Sequence, residues 1–250
     1  VAHFYLADDI GASDLAVDRV IVLTGQEARH AVTVSRVRAG EALLVGDGRG
    51  TVASCTVTSA DAQRLELRVG SVEEHPAPSP RVVLVQALAK GDRDELAVQA
   101  ATELGVDAVI PWQAQRSVSR WEGAKVAKGR DRWRAIVREA VKQSIRPRVP
   151  EVEELATTRD LVRMAATARV LVLDPTADAR LSGLDLAAPA DGAATDVLLV
   201  VGPEGGISPA EVEALRAAGA TPVALGSGIL RTSTAGPAAL ALVNAALGRW

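Results

Sequence analysis

"LLVVGPEGGISPAEVEAL" (198–215) and "VALGSGILRTSTAGPAAL" (223–240) share one grammar: a short apolar stretch, a glycine-rich turn, then a helical stretch. In the first, Ser208-Pro209-Ala210-Glu211 has the S-x-x-E form of a capping box with proline at the first helical position. A helix therefore begins near residue 209, and GPEGGI is a strand-to-helix loop. In the second, Thr232 or Thr234 can cap the following helix, with Pro237 in its tolerant first turn. Ligands of open α/β sheets bind outside the carboxyl ends of the strands. Gly202, Gly205 and Gly206 either let backbone approach such a ligand or only make the turn. Two loops of this kind at neighbouring strand ends can form one pocket. Neither is a nucleotide fingerprint. G-x-x-x-x-G-K-[ST] is absent, and GSGILR (226–231) lacks the third glycine of G-x-G-x-x-G, which counts against NTP and NAD.

Outward from these loops, the carboxyl-terminal two thirds alternate strand and helix. "RVVLVQAL" (81–88), "VDAVIPW" (106–112), "ARVLVLD" (168–174) and "DVLLVV" (196–201) read as strands, and 91–105 and 133–145 as helices. Continuous apolar strands separated by helices imply a mostly parallel sheet covered on both faces. Residues 187–194 read as an Ala-rich loop. "EHPAPSP" (74–80) is a stiff linker, since its three prolines continue neither a ladder nor a helix. Before it, short strands at 20–25, 41–50, 52–57 and 64–69 are punctuated by turns such as GDGRG, and 25–34 starts a helix. A small barrel is expected there. The domains are thus 1–73, the linker 74–80, and 81–250.

The 250 residues, 48% of them hydrophobic, can bury a sizeable core, and with only 2% aromatics Ala, Val and Leu must fill it. The apolar runs are too short to span a membrane, and VAHFYLADDI lacks the pattern of a signal peptide. Cys55 is the single cysteine, so no internal disulfide forms and a cytoplasmic setting is the default. With His3, His30 and His75 far apart, no metal site is expected. The net charge of −3 argues against nucleic acid, but residues 116–148 carry eleven basic and three acidic residues. That concentration suits a phosphate-binding surface, or a solvated helix face.

Together "VGPEGGISPAEVEAL" and "ALGSGILRTSTA" resemble the signature of the 16S ribosomal RNA uridine-N3 methyltransferase family, the ribosomal RNA small subunit methyltransferases E, within the SPOUT superfamily. "ALAKGDRDELAVQAATELGVDAVIPWQAQRSV" (87–118), "EAVKQSIRPRVPEV" (139–152) and "RHAVTVSRVRAGEALLVGDGRG" (29–50) are similar to further blocks of that family, the last to its amino-terminal PUA-like RNA-binding barrel. The resemblance implies an α/β trefoil-knot methyltransferase domain, S-adenosylmethionine as methyl donor, a homodimer, and 16S rRNA or the small ribosomal subunit as partner.

It also implies a cofactor site of Leu173, Val201, Gly202, Glu204, Gly205, Leu225, Gly226, Ile229, Leu230, Thr234 and Ala235. Leu173 is otherwise ordinary core. Arg231 is the catalytic candidate, a fixed cation able to fork two hydrogen bonds to the oxygens of a uridine anion. RNA contacts are expected from Arg29, Arg36, Arg38, Lys90, Arg116, Gln143 and Arg146. The chain departs from the family at Ser233, where an acid is common in R-T-E-T-A, and more mildly at Ser35. Glu204 is a candidate base or a helix-terminus charge, and no general base is assigned. Two alternatives stay open: a related enzyme acting on another RNA position such as a ribose hydroxyl, and a non-catalytic RNA-binding or ribosome-assembly protein.

Overall fold

The structure, a computed structural model, describes residues 3–7, 10–186 and 195–250. The Ala-rich stretch 187–194 lies outside the described residues. The chain divides into two compact units, Val1–Ala77 with Val141–Val149, and Pro78–Ala140 with Pro150–Trp250.

In the first unit, β1 (Phe4–Leu6), β2 (Val20–Thr24), β3 (Ala42–Gly46), β4 (Thr51–Asp61) and β5 (Arg64–Glu74) form one sheet in the order β1-β3-β4-β5-β2. Only the β1–β3 pairing is parallel. Alternate residues of β4 and β5 are buried, among them Ala53, Cys55, Val57, Leu65, Leu67 and Val69, which gives the sheet one apolar face over a single core. The GDGRG turn is held by Asp47 Oδ1, which accepts from Arg49 N at 2.7 Å and Thr51 N at 3.0 Å. The helix expected from 25–34 is α1 (Gly25–Arg29) followed by a π-helical turn, His30–Val34.

Residues 141–149 belong to this unit although they follow the second domain's first elements in sequence. Val149 N donates to Gly48 O at 2.9 Å, Gly50 N to Pro147 O at 3.0 Å, and Arg148 Nη2 to His75 O at 2.7 Å. A half-buried ion pair joins Lys142 to Glu27 at 3.4 Å. No sequence period announces a return of this kind, because the bonds are made by backbone and by two long cations.

The second unit runs β6 (Val82–Ala87), α2 (Arg93–Glu103), β7 (Ala108–Trp112), α3 (Ala124–Ser144) as far as Ala140, β8 (Glu151–Val152), α4 (Thr158–Met164), β9 (Arg169–Leu173), β10 (Val197–Val201), α5 (Pro209–Ala217), β11 (Thr221–Val223) and α6 (Thr232–Ala246). Its six strands are ordered β11-β9-β10-β6-β7-β8, and every pairing is parallel. β6, β7 and β10 are buried along their whole length. Val83, Val85, Leu198 and Val200 pack on one face with Leu161 of α4 and Leu215 of α5. The other face meets α6 so closely that a Cβ on Gly236 would lie 2.8 Å from Leu84 Cδ1.

Two helix readings change. α3 begins at Ala124 rather than at 133, because its first turns bury no apolar stripe. They are held instead by Trp121, whose ring lies over Gly129 and meets Trp133 edge-on at 5.4 Å. α6 begins at Thr232, which puts Pro237 in its second turn, where it leaves the Ser233 carbonyl without its i+4 donor. No threonine caps α6: the N-cap is Arg231, without a side-chain cap bond.

Candidate active site

The carboxyl ends of β9, β10 and β11 open into a cavity of about 840 Å³. Its walls are the segment after β9, the loop 202–207 between β10 and α5, and the loop 225–231 between β11 and α6. Such a volume lies within the range of cofactor sites.

Loop 202–207 is built by its surroundings. α5 starts as its sequence requires: Ser208 Oγ accepts from Glu211 N, and Glu211 Oε2 accepts in return from Ser208 N at 3.1 Å. Glu211 does more than close the box. Its Oε1 accepts from Gln115 N and from Thr158 Oγ1, both at 2.8 Å, so one buried carboxylate joins α5, the loop after β7 and α4. Burial works to raise this carboxyl, but those hydrogen bonds outweigh it and hold it below its ordinary range. Gly202 has no room for a side chain, since its Cβ would lie 2.6 Å from Ile207 Cγ1. The Gly202 carbonyl accepts from Thr232 Oγ1 at 2.8 Å, and that hydroxyl accepts from the buried Gln86 Nε2 at 2.9 Å. Gly205 O accepts from Arg116 Nη1 at 3.0 Å.

Loop 225–230 is the opposite. Among the described residues, no partner is found for the N–H groups of 225–230. Gly226 and Gly228 have ordinary negative φ and no atom within 4 Å of a built Cβ. Among the described residues, neither space nor backbone conformation requires glycine there. Ile229 is 84% exposed on the cavity rim.

Of the residues expected at the cofactor, Leu173, Val201, Gly202, Glu204, Leu225, Ile229, Leu230 and Ala235 line the cavity, and so does Arg231. Gly205, Gly226 and Thr234 do not. Gly205 faces Arg116, with its Cβ position 3.4 Å from Arg116 Cβ. Thr234 is exposed, because Thr232 and Ala235, one turn apart on α6, take the inward face. Ser233 does not line the cavity either. Arg231 is exposed and, among the described residues, its guanidinium has no partner.

Sequence reading missed Arg93, Asp174, Thr176, Glu213 and Arg216, which also line the cavity. Asp174 was legible as the residue closing β9. Its Oδ1 accepts from Thr176 N at 2.8 Å and Thr176 Oγ1 at 2.7 Å. Glu204 is not a free carboxylate. Its Oε1 accepts from Lys90 N at 3.0 Å and Arg93 Nη1 at 2.9 Å. Burial works to raise it, but its backbone bond, Arg93 and Lys90 N outweigh burial and hold it below its ordinary range.

The residues expected at RNA divide between the units. Arg116 and Lys90 belong to the second, Arg116 on the cavity wall and Lys90 exposed on the loop between β6 and α2. Arg29, Arg36 and Arg38 are exposed in the first unit, as is Gln143, and Arg146 is half-buried there. The basic segment is not one uniform cationic face. Arg130 pairs with Glu154, Arg132 with Glu95 at 2.9 Å, Arg134 with Asp131 at 3.0 Å and Lys142 with Glu27. Each such pair removes a cation from the set free to meet phosphate. Among the described residues, no group of three or more His, Cys, Asp or Glu is placed to hold a metal, and no helix is long and apolar enough to cross a membrane.

A parallel sheet with a cavity between two glycine loops at its strand ends, joined to a small β unit, is the build of a two-domain α/β protein for a nucleoside-sized ligand. Family comparison gives that class its content. An RNA methyltransferase domain model matches residues 75–244, and an RNA methyltransferase PUA domain model matches 23–70. The chain is 48% identical over 236 residues to ribosomal RNA small subunit methyltransferase E of Mycobacterium bovis, covering 92% of this chain and 88% of that protein. It is 33% identical to the Bacillus subtilis protein of the same name, covering 89% and 88%. The crystal structure of the Neisseria gonorrhoeae protein of that name, bound to S-adenosyl methionine, superposes with a TM-score of 0.86 at 28% identity, over 99% of this chain and 98% of that one. The chain belongs to the RNA methyltransferase family whose members are named ribosomal RNA small subunit methyltransferase E.

Proposed function

We propose that this protein transfers the methyl group of S-adenosylmethionine to N3 of a uridine in 16S rRNA of the small ribosomal subunit. The observation that carries the reading is loop 225–230: glycines that the fold does not need, beside N–H groups without a partner among the described residues, on the wall of a cofactor-sized cavity. A flat purine and its ribose fit a surface of that kind, with the apolar ends of β9 and β10 at Leu173 and Val201 beneath. The likeness to a protein solved with S-adenosyl methionine supports it.

When bound, the cofactor supplies an electrophilic methyl on a sulfonium. The chain's part is to hold and polarise the base. Uridine N3 is a poor nucleophile until its proton leaves, and as a pairing position it must be unpaired or flipped out. Arg231, at the head of α6 and without a guanidinium partner among the described residues, stabilises the anion at the base oxygens. Loop 202–207, tied at Gly202, Glu204 and Gly205, fixes the direction from which the cofactor is presented. Arg29, Arg36, Arg38, Gln143 and Arg146 supply RNA contacts from the first unit, and Lys90 and Arg116 supply them from the second. The reading includes a trefoil knot in the methyltransferase domain and a cytoplasmic homodimer. The exposed Ile229 and Val118 support the dimer as apolar surface that a second copy would cover.

The test is incubation with methyl-labelled S-adenosylmethionine and small subunits lacking native uridine methylation, then digestion and nucleoside analysis. Label in 3-methyluridine is expected. Label in a ribose-methylated nucleoside would move the target, and no label despite cofactor binding would refute the reading.

A further inference from the structure

Three consecutive N–H groups after β6 are bonded to three different parts of the second unit. Leu88 N donates to Trp112 O at 2.9 Å, Ala89 N to Asp94 Oδ2 at 3.1 Å, and Lys90 N to Glu204 Oε1 at 3.0 Å. The first two bonds hold the loop to the sheet and to its own helix. Only the third reaches the glycine loop. Arg93, on the first turn of α2, adds a second bond to the same oxygen at 2.9 Å. The side chain that follows this pinned backbone is that of Lys90, exposed and, among the described residues, without a partner.

We infer that Glu204 is a positioning residue: it latches the cofactor-side glycine loop to the loop that aims Lys90 at RNA phosphate, and it does not accept the proton from the target base. The role of Lys90 toward RNA rests on the proposed methyl transfer to RNA. The latch itself rests on the bonds. The geometry opposes a base role, because a carboxylate oxygen that already accepts from a guanidinium and a backbone N–H has little basicity left for a substrate proton. The lowered affinity of this carboxyl for protons agrees. What the arrangement does well is transmit. Loop 202–207 cannot shift without moving Lys90, so cofactor and RNA affinities are coupled through it.

The experiment compares Glu204→Gln, Glu204→Ala and Arg93→Ala in the full chain. Glutamine keeps an oxygen for Lys90 N but cannot act as a base. Three quantities are read: hydrogen exchange at the Lys90 amide, rRNA affinity by filter binding with and without S-adenosylhomocysteine, and methyl transfer against pH. Glu204→Gln should keep Lys90 protected, lose less activity than Glu204→Ala, and keep the shape of the parent's pH profile. Glu204→Ala should lose the protection, weaken RNA binding about tenfold, and abolish the effect of S-adenosylhomocysteine on it. Arg93→Ala should fall between them.

A Glu204→Gln variant as inactive as Glu204→Ala, with Lys90 still protected, would overturn the inference in favour of a base. Unchanged Lys90 exchange and RNA affinity in Glu204→Ala would overturn it as well. Filter binding needs no turnover. A parent protein that binds RNA in a Glu204-dependent way but transfers no methyl group would contradict the methyl-transfer reading and support the latch.

Discussion

Gly202, Glu204, Gly205 and Ser208 are each bonded to a group outside the first loop, whereas the N–H groups of 225–230 have no partner among the described residues. The two loops look alike in sequence, each a glycine turn between an apolar strand and a helix. Their glycines nevertheless answer to different demands. Gly202 is glycine because Ile207 fills the space a Cβ would need; Gly228 meets nothing within 4 Å. The first loop's glycine is accounted for by the protein, and on the proposed reading those of the second are left for the cofactor. Glycine content alone therefore says little about ligand contact. What matters is whether the fold already accounts for the glycine.

The comparison can be broken most severely at Arg231, which ends the second loop. Arg231→Ala should lower kcat for methyl transfer about 100-fold or more, the scale of losing an oxyanion donor. Its melting temperature should match the parent's, because the guanidinium has no partner among the described residues to lose. Gly202→Ala attacks the first loop and should do the reverse, costing about 1–3 kcal/mol in denaturant unfolding through overpacking against Ile207.

A third prediction concerns the neighbouring pinned loop. Burial pushes the Asp94 carboxyl up to about 6 from 3.8. A raised carboxyl favours the folded state where it is protonated, and that contribution is lost as pH rises through about 6. The stability of the parent relative to Asp94→Asn should therefore fall by about 1–2 kcal/mol between pH 4 and pH 7, as read by thermal unfolding across that range. A flat difference would mean that Asp94 is better solvated than the structure shows. The smallest effect is expected from Ser208→Ala, which removes both bonds of the Ser208 hydroxyl to Glu211 and should cost about 1 kcal/mol with cofactor affinity little changed.

Much of this site could be read from residues alone, for identifiable reasons. The capping box at Ser208 and Glu211, the buried strands and both glycine loops are local patterns, and local patterns survive in sequence. Thr232 could not be read correctly. As a threonine before a helix it reads as a cap, but its hydroxyl turns to the Gly202 carbonyl because the buried Gln86 orients it from 146 residues away. Pro237 was misplaced with it, since α6 begins at Thr232 itself and not after a capping threonine. The partners of Glu204, Lys90 and Arg93, lie 114 and 111 residues off, so the carboxylate read as a free base or a terminus charge. The basic segment 116–148 read as one surface because pairs such as Arg132–Glu95 and Arg130–Glu154 join different elements.

The most direct test of the contrast between the loops is a calorimetric titration of S-adenosylmethionine into Gly228→Val beside the parent protein. Gly228 lines the cavity, and a Cβ there has no neighbouring atom within 4 Å. The account predicts an unchanged melting temperature and at least about tenfold weaker cofactor binding, the effect of a clash with ligand alone. Parent-like affinity in Gly228→Val would contradict it, because loop 225–230 would then not be the surface that holds the cofactor.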